Sequence, residues 1–220
     1  MIKLIIFDWD DVFTLGSKEG YFACYHKALE AVGVSLSPEE EHKRILSKWG
    51  KAFRVEVTEL LKEHPELVDK ASEVYHKEYW SGTFINSLRV LPGTNDLLKR
   101  LSKKYTLAIA TGNTHKMLKE IMPHFSIPNV FSQIISSHDL TDQEKAKPHP
   151  YMLKIIMKTQ GVIPDETVFV GDARTDVQMA FNAHVTPIVV LTGHLDRKEA
   201  DELGVKKIIS DVTKVETVLT

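Results

Sequence analysis

Several side chains able to do chemistry occur just where an apolar run ends. "KLIIFDWDDVFT" ends its run in Asp8, Asp10 and Asp11, "LAIATGN" in Thr111, Gly112 and Asn113, and "VFVGDARTD" in Asp172 and Asp176; Lys147 of "EKAKPHP" lies in the stretch after "QIISSHDL". On an extended segment side chains two apart point the same way, so Asp8 and Asp10 share a face and Asp11 points elsewhere. Carboxylates gathered in one crevice repel each other and cost free energy to desolvate unless a cation sits among them, and hard oxygen donors point to Mg²⁺. A lysine and a Thr-Gly-Asn turn leading into a helix supply the positive charge and backbone N–H groups that hold phosphate. Metal plus phosphate is the economical reading.

Each residue also has a plainer explanation. Thr111, or Thr114 three positions later, could merely cap the following helix, Asp172 and Asp176 could cap and decorate "DVQMAFNAH", and Lys147 could be a surface lysine before a proline. Their joint occurrence at four successive strand ends argues against coincidence, because ligands of open α/β sheets sit beyond the carboxyl ends of the strands.

The elements that must position these residues are legible as short aliphatic runs at "IKLIIF", "YTLAIAT", "QIISS", "TVFVGD", "TPIVVLTG" and "KKIISD", with helical periodicity between most of them. Runs that are apolar throughout suit strands buried on both faces, so the expected fold is α/β with a doubly wound parallel sheet. From about Ser17 to about Thr83 no such run occurs and consecutive helices are expected. They lie at "EGYFACYHKALEAVG", at "SPEEEHKRILSKWG" with Ser37 as N-cap and Pro38 at the first helical position, at "AFRVEVTELLKEH" and at "ELVDKASEVYHKEYW". The expected division is an α/β core of residues 1–15 and 84–220 with an all-helical cap of residues 16–83 inserted after the first strand. "LPGTNDLLKRLSKKY" reads as a turn and a helix that return the chain to the core, and "PEEEHKR" as a solvated helix face.

Composition narrows the function classes. The 220 residues are 43% hydrophobic and 26% charged with a formal net charge of −2, an ordinary globular balance that gives no electrostatic argument for nucleic acid or an anionic membrane surface. The single cysteine, Cys24, sits on a helical apolar face and reads as a buried residue. The apolar N-terminal stretch is too short for a signal peptide or a membrane span, so a cytoplasmic protein is expected. The ten histidines are scattered without the paired spacing of a zinc site. Trp49, Tyr75, Tyr79 and Trp80 read as helix packing.

Taken together, "DWDDV", "IATGN", "KPHP" and "GDARTD" resemble, in order, the four motifs of the haloacid dehalogenase-like (HAD) hydrolases. The helical block resembles that family's C1-type cap, as in phosphoglycolate phosphatase-like and β-phosphoglucomutase-like members. The resemblance implies a Rossmann-like core and a Mg²⁺-dependent phosphomonoesterase acting on a small phosphorylated metabolite. It makes Asp8 the nucleophile that forms an aspartyl-phosphate, and Asp10 the acid that protonates the leaving alcohol and then the base that activates water. It places Thr111, Gly112, Asn113 and Lys147 on the phosphoryl oxygens. Mg²⁺ would be held by a carboxylate oxygen of Asp8, the main-chain carbonyl of Asp10 and Asp172, with Asp176 either binding metal through water or orienting Lys147.

Two positions depart from the commonest form of the first motif. Asp11 stands where most relatives have glycine, and Val12 where most have threonine, which forfeits a hydroxyl that could hydrogen-bond the catalytic loop. A dehalogenase is disfavoured because those relatives lack the second aspartate. A phosphosugar mutase of the β-phosphoglucomutase type remains the alternative, with Lys48, Lys51 and Arg54 of "SKWGKAFR" as possible second-anchor groups against the plainer reading of a solvated helix end. A phosphonatase would need a cap lysine forming a Schiff base. A catalytically silent binding protein has little support, since all four motif positions carry suitable residues.

Overall fold

The structure, a computed structural model, describes residues 1–48 and 53–219. Trp49 and Lys51 therefore lie outside the described residues. The chain divides into two compact units, one of Met1–Leu15 with Val90–Thr220 and one of Gly16–Arg89.

The first unit is built on β1 (Leu4–Phe7), β4 (Thr106–Thr111), β5 (Phe131–Ser136), β6 (Thr167–Gly171), β7 (Thr186–Val190) and β8 (Lys207–Ile209). These six strands form one sheet in the order β5-β4-β1-β6-β7-β8. Every pairing in it is parallel. Each strand falls within an aliphatic run read from the sequence or overlaps it, and β1 is buried along its whole length. Leu4 and Ile6 of β1 pack with Ala108, Ala110 and Phe169 against Met152, Leu153 and Ile156 of α8 (Tyr151–Gln160) and Met179 and Ala180 of α9 (Arg174–Asn182). Ile5 and Phe7, which point to the opposite face, are equally buried, so both faces of β1 are covered.

Three further helices complete this unit: α6 (Thr94–Leu101), α7 (His115–His124) and α10 (Arg197–Glu202). α10 was not read from the sequence; Asp196 opens it by accepting from the Glu199 N–H at 2.8 Å while Glu199 reaches back to the Asp196 N–H at 3.0 Å. The chain runs from β1 through β4 to the β5 edge, then returns to β6 on the other side of β1. The reversal puts the carboxyl end of β1 at the switch point of the sheet, where an open crevice forms.

Among the described residues, the α-helices of the second unit are α1 (Ser17–Ala31), α2 (Pro38–Ser47), α3 (Phe53–Leu60), α4 (Val68–Trp80) and α5 (Thr83–Ser87). Two short strands, β2 (Thr14–Leu15) and β3 (Arg89–Val90), mark where the chain leaves and re-enters the sheet unit. Ser37 caps α2 by accepting from the Glu40 N–H at 3.2 Å, with Pro38 in the first turn. Cys24 is fully buried on α1, and Tyr75 stacks on Tyr25 and Phe53 at 4.4 and 5.0 Å between ring centroids.

Two expectations need correction here. Residues 84–89 belong with the helices rather than the sheet, because Phe84 of α5 is fully buried and packs on Tyr21 and Tyr79 at 4.6 and 4.9 Å. "PEEEHKR" is not a wholly solvated face, since Glu41 and Arg44 are buried. Arg44 earns its place inside through ion pairs to Glu40 at 2.7 Å and Glu63 at 2.5 Å and a hydrogen bond to the Leu60 carbonyl at 2.9 Å.

Candidate active site

At the carboxyl end of β1 the Asp8 N–H donates to the Val170 carbonyl at 2.8 Å, so the first aspartate is still held in sheet register when its side chain enters the crevice. Lys147 Nζ lies 2.8 Å from Asp8 Oδ1 and 2.7 Å from Asp176 Oδ1, and 5.6 Å from the centroid of the Phe169 ring. Asp176 Oδ2 accepts the N–H groups of Asp172 and Ala173 at 3.2 and 3.1 Å, which ties the first turn of α9 back to the end of β6. Gly171 makes this possible, because a Cβ there would fall 2.7 Å from Asp176 Cβ.

The motif after β4 divides its labour. Thr114, not Thr111, caps α7, accepting from the Met117 N–H at 3.1 Å. Thr111 Oγ1 accepts from the Asn113 N–H at 3.0 Å and Ser136 Oγ donates to the Asn113 carbonyl at 2.7 Å, so the Thr-Gly-Asn turn is fixed from within and from β5. The Asn113 side chain, expected on phosphate, instead points its amide Nδ2 at both carboxylate oxygens of Asp10, at 3.4 and 3.3 Å. Gly112 is exposed, with open space around its Cα.

Asp8, Asp172 and Asp176 each offer an oxygen within 4.8 Å of the others, a set able to hold a metal ion. Asp11, Asp172 and His194 form a second group of the same size, which the histidine spacing did not reveal. Desolvation is the main reason that Asp8 is raised to about 6, with Lys147 opposing it, and that Asp10 is raised to about 8, with the Asp8 and Asp11 charges adding to it. Asp172 is also raised well above the usual carboxylate range, by burial and by its neighbours Asp176 and Asp8. For Lys147 burial acts to lower the pKa, and the Asp176 and Asp8 charges overcome it and raise the pKa above the ordinary lysine value.

Asp11 has a left-handed backbone, φ 55°, the conformation that favours glycine and that aspartate tolerates better than most side chains. That conformation suits the glycine which the resemblance implies at this position. The segment after β7 was missed by the sequence reading: Thr192 Oγ1 donates to the Asp11 carbonyl at 2.5 Å, and the His194 N–H donates to Asp172 Oδ2 at 2.9 Å. Its signal was available, because "VLTGH" follows a strand of the same sheet and the strand-end rule applies to it equally.

In the helical unit, Lys48 pairs with Glu59 at 3.5 Å and Arg54 pairs with Asp69. No described helix is long and apolar enough to cross a membrane.

Comparison with known proteins adds an independent line. A family model described as haloacid dehalogenase-like hydrolase matches residues 5–190. A phosphoglycolate phosphatase of Pseudomonas putida is 31% identical over 124 residues, covering 56% of this chain and 44% of that protein. A phosphoglycolate phosphatase of Aliivibrio fischeri is 26% identical over 189 residues, covering 81% of this chain and 79% of its own. The chain thus spans about half the length of the Pseudomonas putida relative. Among solved structures, a haloacid dehalogenase-like family hydrolase from Streptococcus pneumoniae superposes with a TM-score of 0.80 at 19% identity over 100% of this chain and 99% of that one, a likeness of fold.

Proposed function

The chain belongs to the haloacid dehalogenase-like hydrolase family, and on that premise we propose that it is a Mg²⁺-dependent phosphomonoester hydrolase working through an aspartyl-phosphate on Asp8. The observation that carries the reading is the convergence of four strand-end segments, with Lys147 Nζ 2.8 Å from Asp8 and Asn113 Nδ2 3.3 Å from Asp10.

The donor set fits a hard divalent cation. Asp8 and Asp172 are buried carboxylates whose anionic forms are disfavoured as they stand, which a cation would reverse. The Asp8 and Asp172 carboxylates and the Asp10 main-chain carbonyl would hold it, and when bound it neutralises phosphoryl charge and orients the group. Asp176 has one oxygen committed to two N–H groups and the other to Lys147, which suits it to positioning the lysine rather than binding metal.

The two carboxylates of the first motif have environments that set them apart, and this supports different roles. Asp8, at about 6, is largely ionised at neutral pH and attacks phosphorus; the bond to the leaving oxygen breaks as the new bond forms. Asp10, at about 8, keeps its proton at neutral pH and gives it to the departing alkoxide. The Asp10 carboxylate so produced then takes a proton from the water that hydrolyses the acyl phosphate, restoring both groups. Lys147, Thr111 and the Gly112 N–H offset charge on the phosphoryl oxygens.

Phosphoglycolate is the first substrate to test, because the two sequence relatives above carry that name. A mutase is less favoured, since Lys48 and Arg54 are already engaged in ion pairs within their own unit. The test is phosphate release from phosphoglycolate, phosphosugars, nucleotides and p-nitrophenyl phosphate with Mg²⁺, with EDTA, and for Asp8→Asn. Release that stops with EDTA and in Asp8→Asn is expected. Full activity in that variant would sink the assignment, and isomerised phosphosugar in place of free phosphate would establish the mutase.

A further inference from the structure

Val12, which closes the first motif, is fully buried and brings no hydroxyl to the loop that carries Asp8 and Asp10. A hydroxyl arrives instead from a segment 181 positions along the chain, where Thr192 Oγ1 donates to the Asp11 main-chain carbonyl at 2.5 Å. The residues that follow grip the opposite wall of the crevice. Gly193 lies so close that a Cβ would sit 2.6 Å from Asp172 Cβ. The His194 N–H donates to Asp172 Oδ2 and the Leu195 N–H to the Asp172 carbonyl, both at 2.9 Å. One short stretch thus fastens both the aspartate loop after β1 and the aspartate after β6.

We infer that Thr192 is a positioning residue, which fixes the main chain at Asp10 and Asp11 relative to Asp172 and so sets the spacing of the oxygen atoms proposed to hold Mg²⁺. The inference rests on the proposed function and adds to it a residue outside the four motifs. The Asp11 carbonyl belongs to a residue at φ 55°, a conformation that persists only where its surroundings hold it. Oxygen ligands whose main chain can drift bind a cation less well, which is why residues that orient ligands influence affinity strongly without touching the ion.

The test uses the full chain with Thr192→Val, which keeps the shape and removes the hydroxyl, and Thr192→Ser, which keeps the hydroxyl. Three quantities are measured: the Mg²⁺ Kd by titration calorimetry without substrate, the Tm in EDTA, and kcat and KM on the best phosphate ester. Thr192→Val is expected to weaken Mg²⁺ binding about tenfold and lower kcat by a similar factor, with KM within about twofold and Thr192→Ser close to wild type. Gly193→Ala, whose Cβ displaces Asp172 rather than the Asp11 carbonyl, is expected to weaken Mg²⁺ at least as much.

Wild-type Mg²⁺ affinity in Thr192→Val or in Gly193→Ala would overturn the inference while leaving the proposed function standing. So would a lowered Tm in Thr192→Val with unchanged Mg²⁺ affinity, because the bond would then serve stability alone. Thr192→Ser as impaired as Thr192→Val would overturn the role of the hydroxyl. Absence of Mg²⁺ binding in the wild type would overturn the proposed function and this inference with it.

Discussion

Both units bury charge, and they do it in opposite ways. In the helical unit Arg44 is matched by Glu40, Glu63 and the Leu60 carbonyl, and the buried Glu56 accepts a hydrogen bond from Tyr25. In the sheet unit Asp8, Asp11, Asp172 and Asp176 are buried beside the half-buried Asp10, and Lys147 pairs with Asp8 and Asp176. Matched charge specifies a packing arrangement, whereas an excess of one sign makes the protein less stable until a ligand of the other sign arrives. Such an imbalance in a crevice is the mark of a site, and the matched set is the mark of structure.

The largest expected effect comes from widening the imbalance. Lys147→Met removes the counter-charge between Asp8 and Asp176, and kcat is expected to fall about a hundredfold. The same variant loses about 3 kcal/mol of stability in metal-free buffer, measured by urea unfolding. Activity near wild type would place the lysine outside the chemistry.

Balancing the charge should have the next largest effect, and it depends on pH in a defined direction. Without metal, Asp10 has a folded-state pKa of about 8 against an ordinary value of 3.8, so between them the folded state holds a proton that the unfolded chain releases. Stability in EDTA therefore falls as pH rises through that window, and the loss is complete above about pH 8. Mg²⁺ favours the ionised form of the carboxylates that would hold it, so its stabilisation grows as Asp8 ionises. Melting curves with EDTA and with excess Mg²⁺ are expected to diverge as pH rises through about 6, the value of Asp8, whose carboxylate would hold the ion. Parallel curves would remove the cation from the account.

Disturbing the matched set should cost stability alone. Arg44→Ala loses charge-assisted hydrogen bonds to Glu40 and Glu63, about 2 kcal/mol, and a calorimetric melt should record it. Its Mg²⁺ affinity should match wild type. The smallest change is Asp11→Gly, which relieves the left-handed φ and shifts stability by no more than about 1 kcal/mol. Asp11 helps raise Asp10, so its removal lowers the Asp10 pKa and moves the alkaline fall of the kcat profile to lower pH.

The sheet unit was more legible than the helical one for a physical reason. The central strands, buried on both faces, are continuous aliphatic runs, and the six runs correspond to the six strands of the sheet. The strand-end rule then finds Asp8, Thr111 and Asp172 without any knowledge of distances. What it cannot supply is the partner of a side chain. Asn113 looks like a phosphate donor in the turn, and only the fold reveals that its amide meets Asp10. Arg44 and Glu41 look solvated because charge in a helix is usually exposed, and their burial depends on Glu63 and His26 from distant sequence. Thr192 lies at a strand end to which the same rule applies, and only the fold reveals that its hydroxyl meets the Asp11 carbonyl.

The proposed chemistry requires Asp8 to carry the phosphoryl group. Quenching the enzyme with borohydride during turnover of a phosphate ester reduces an acyl phosphate to the alcohol, so an aspartate that carried phosphate becomes homoserine. Peptide mass spectrometry should find homoserine at position 8 in wild type and nowhere in Asp8→Asn. Measurable turnover with the label on another residue, or on none, would contradict the account.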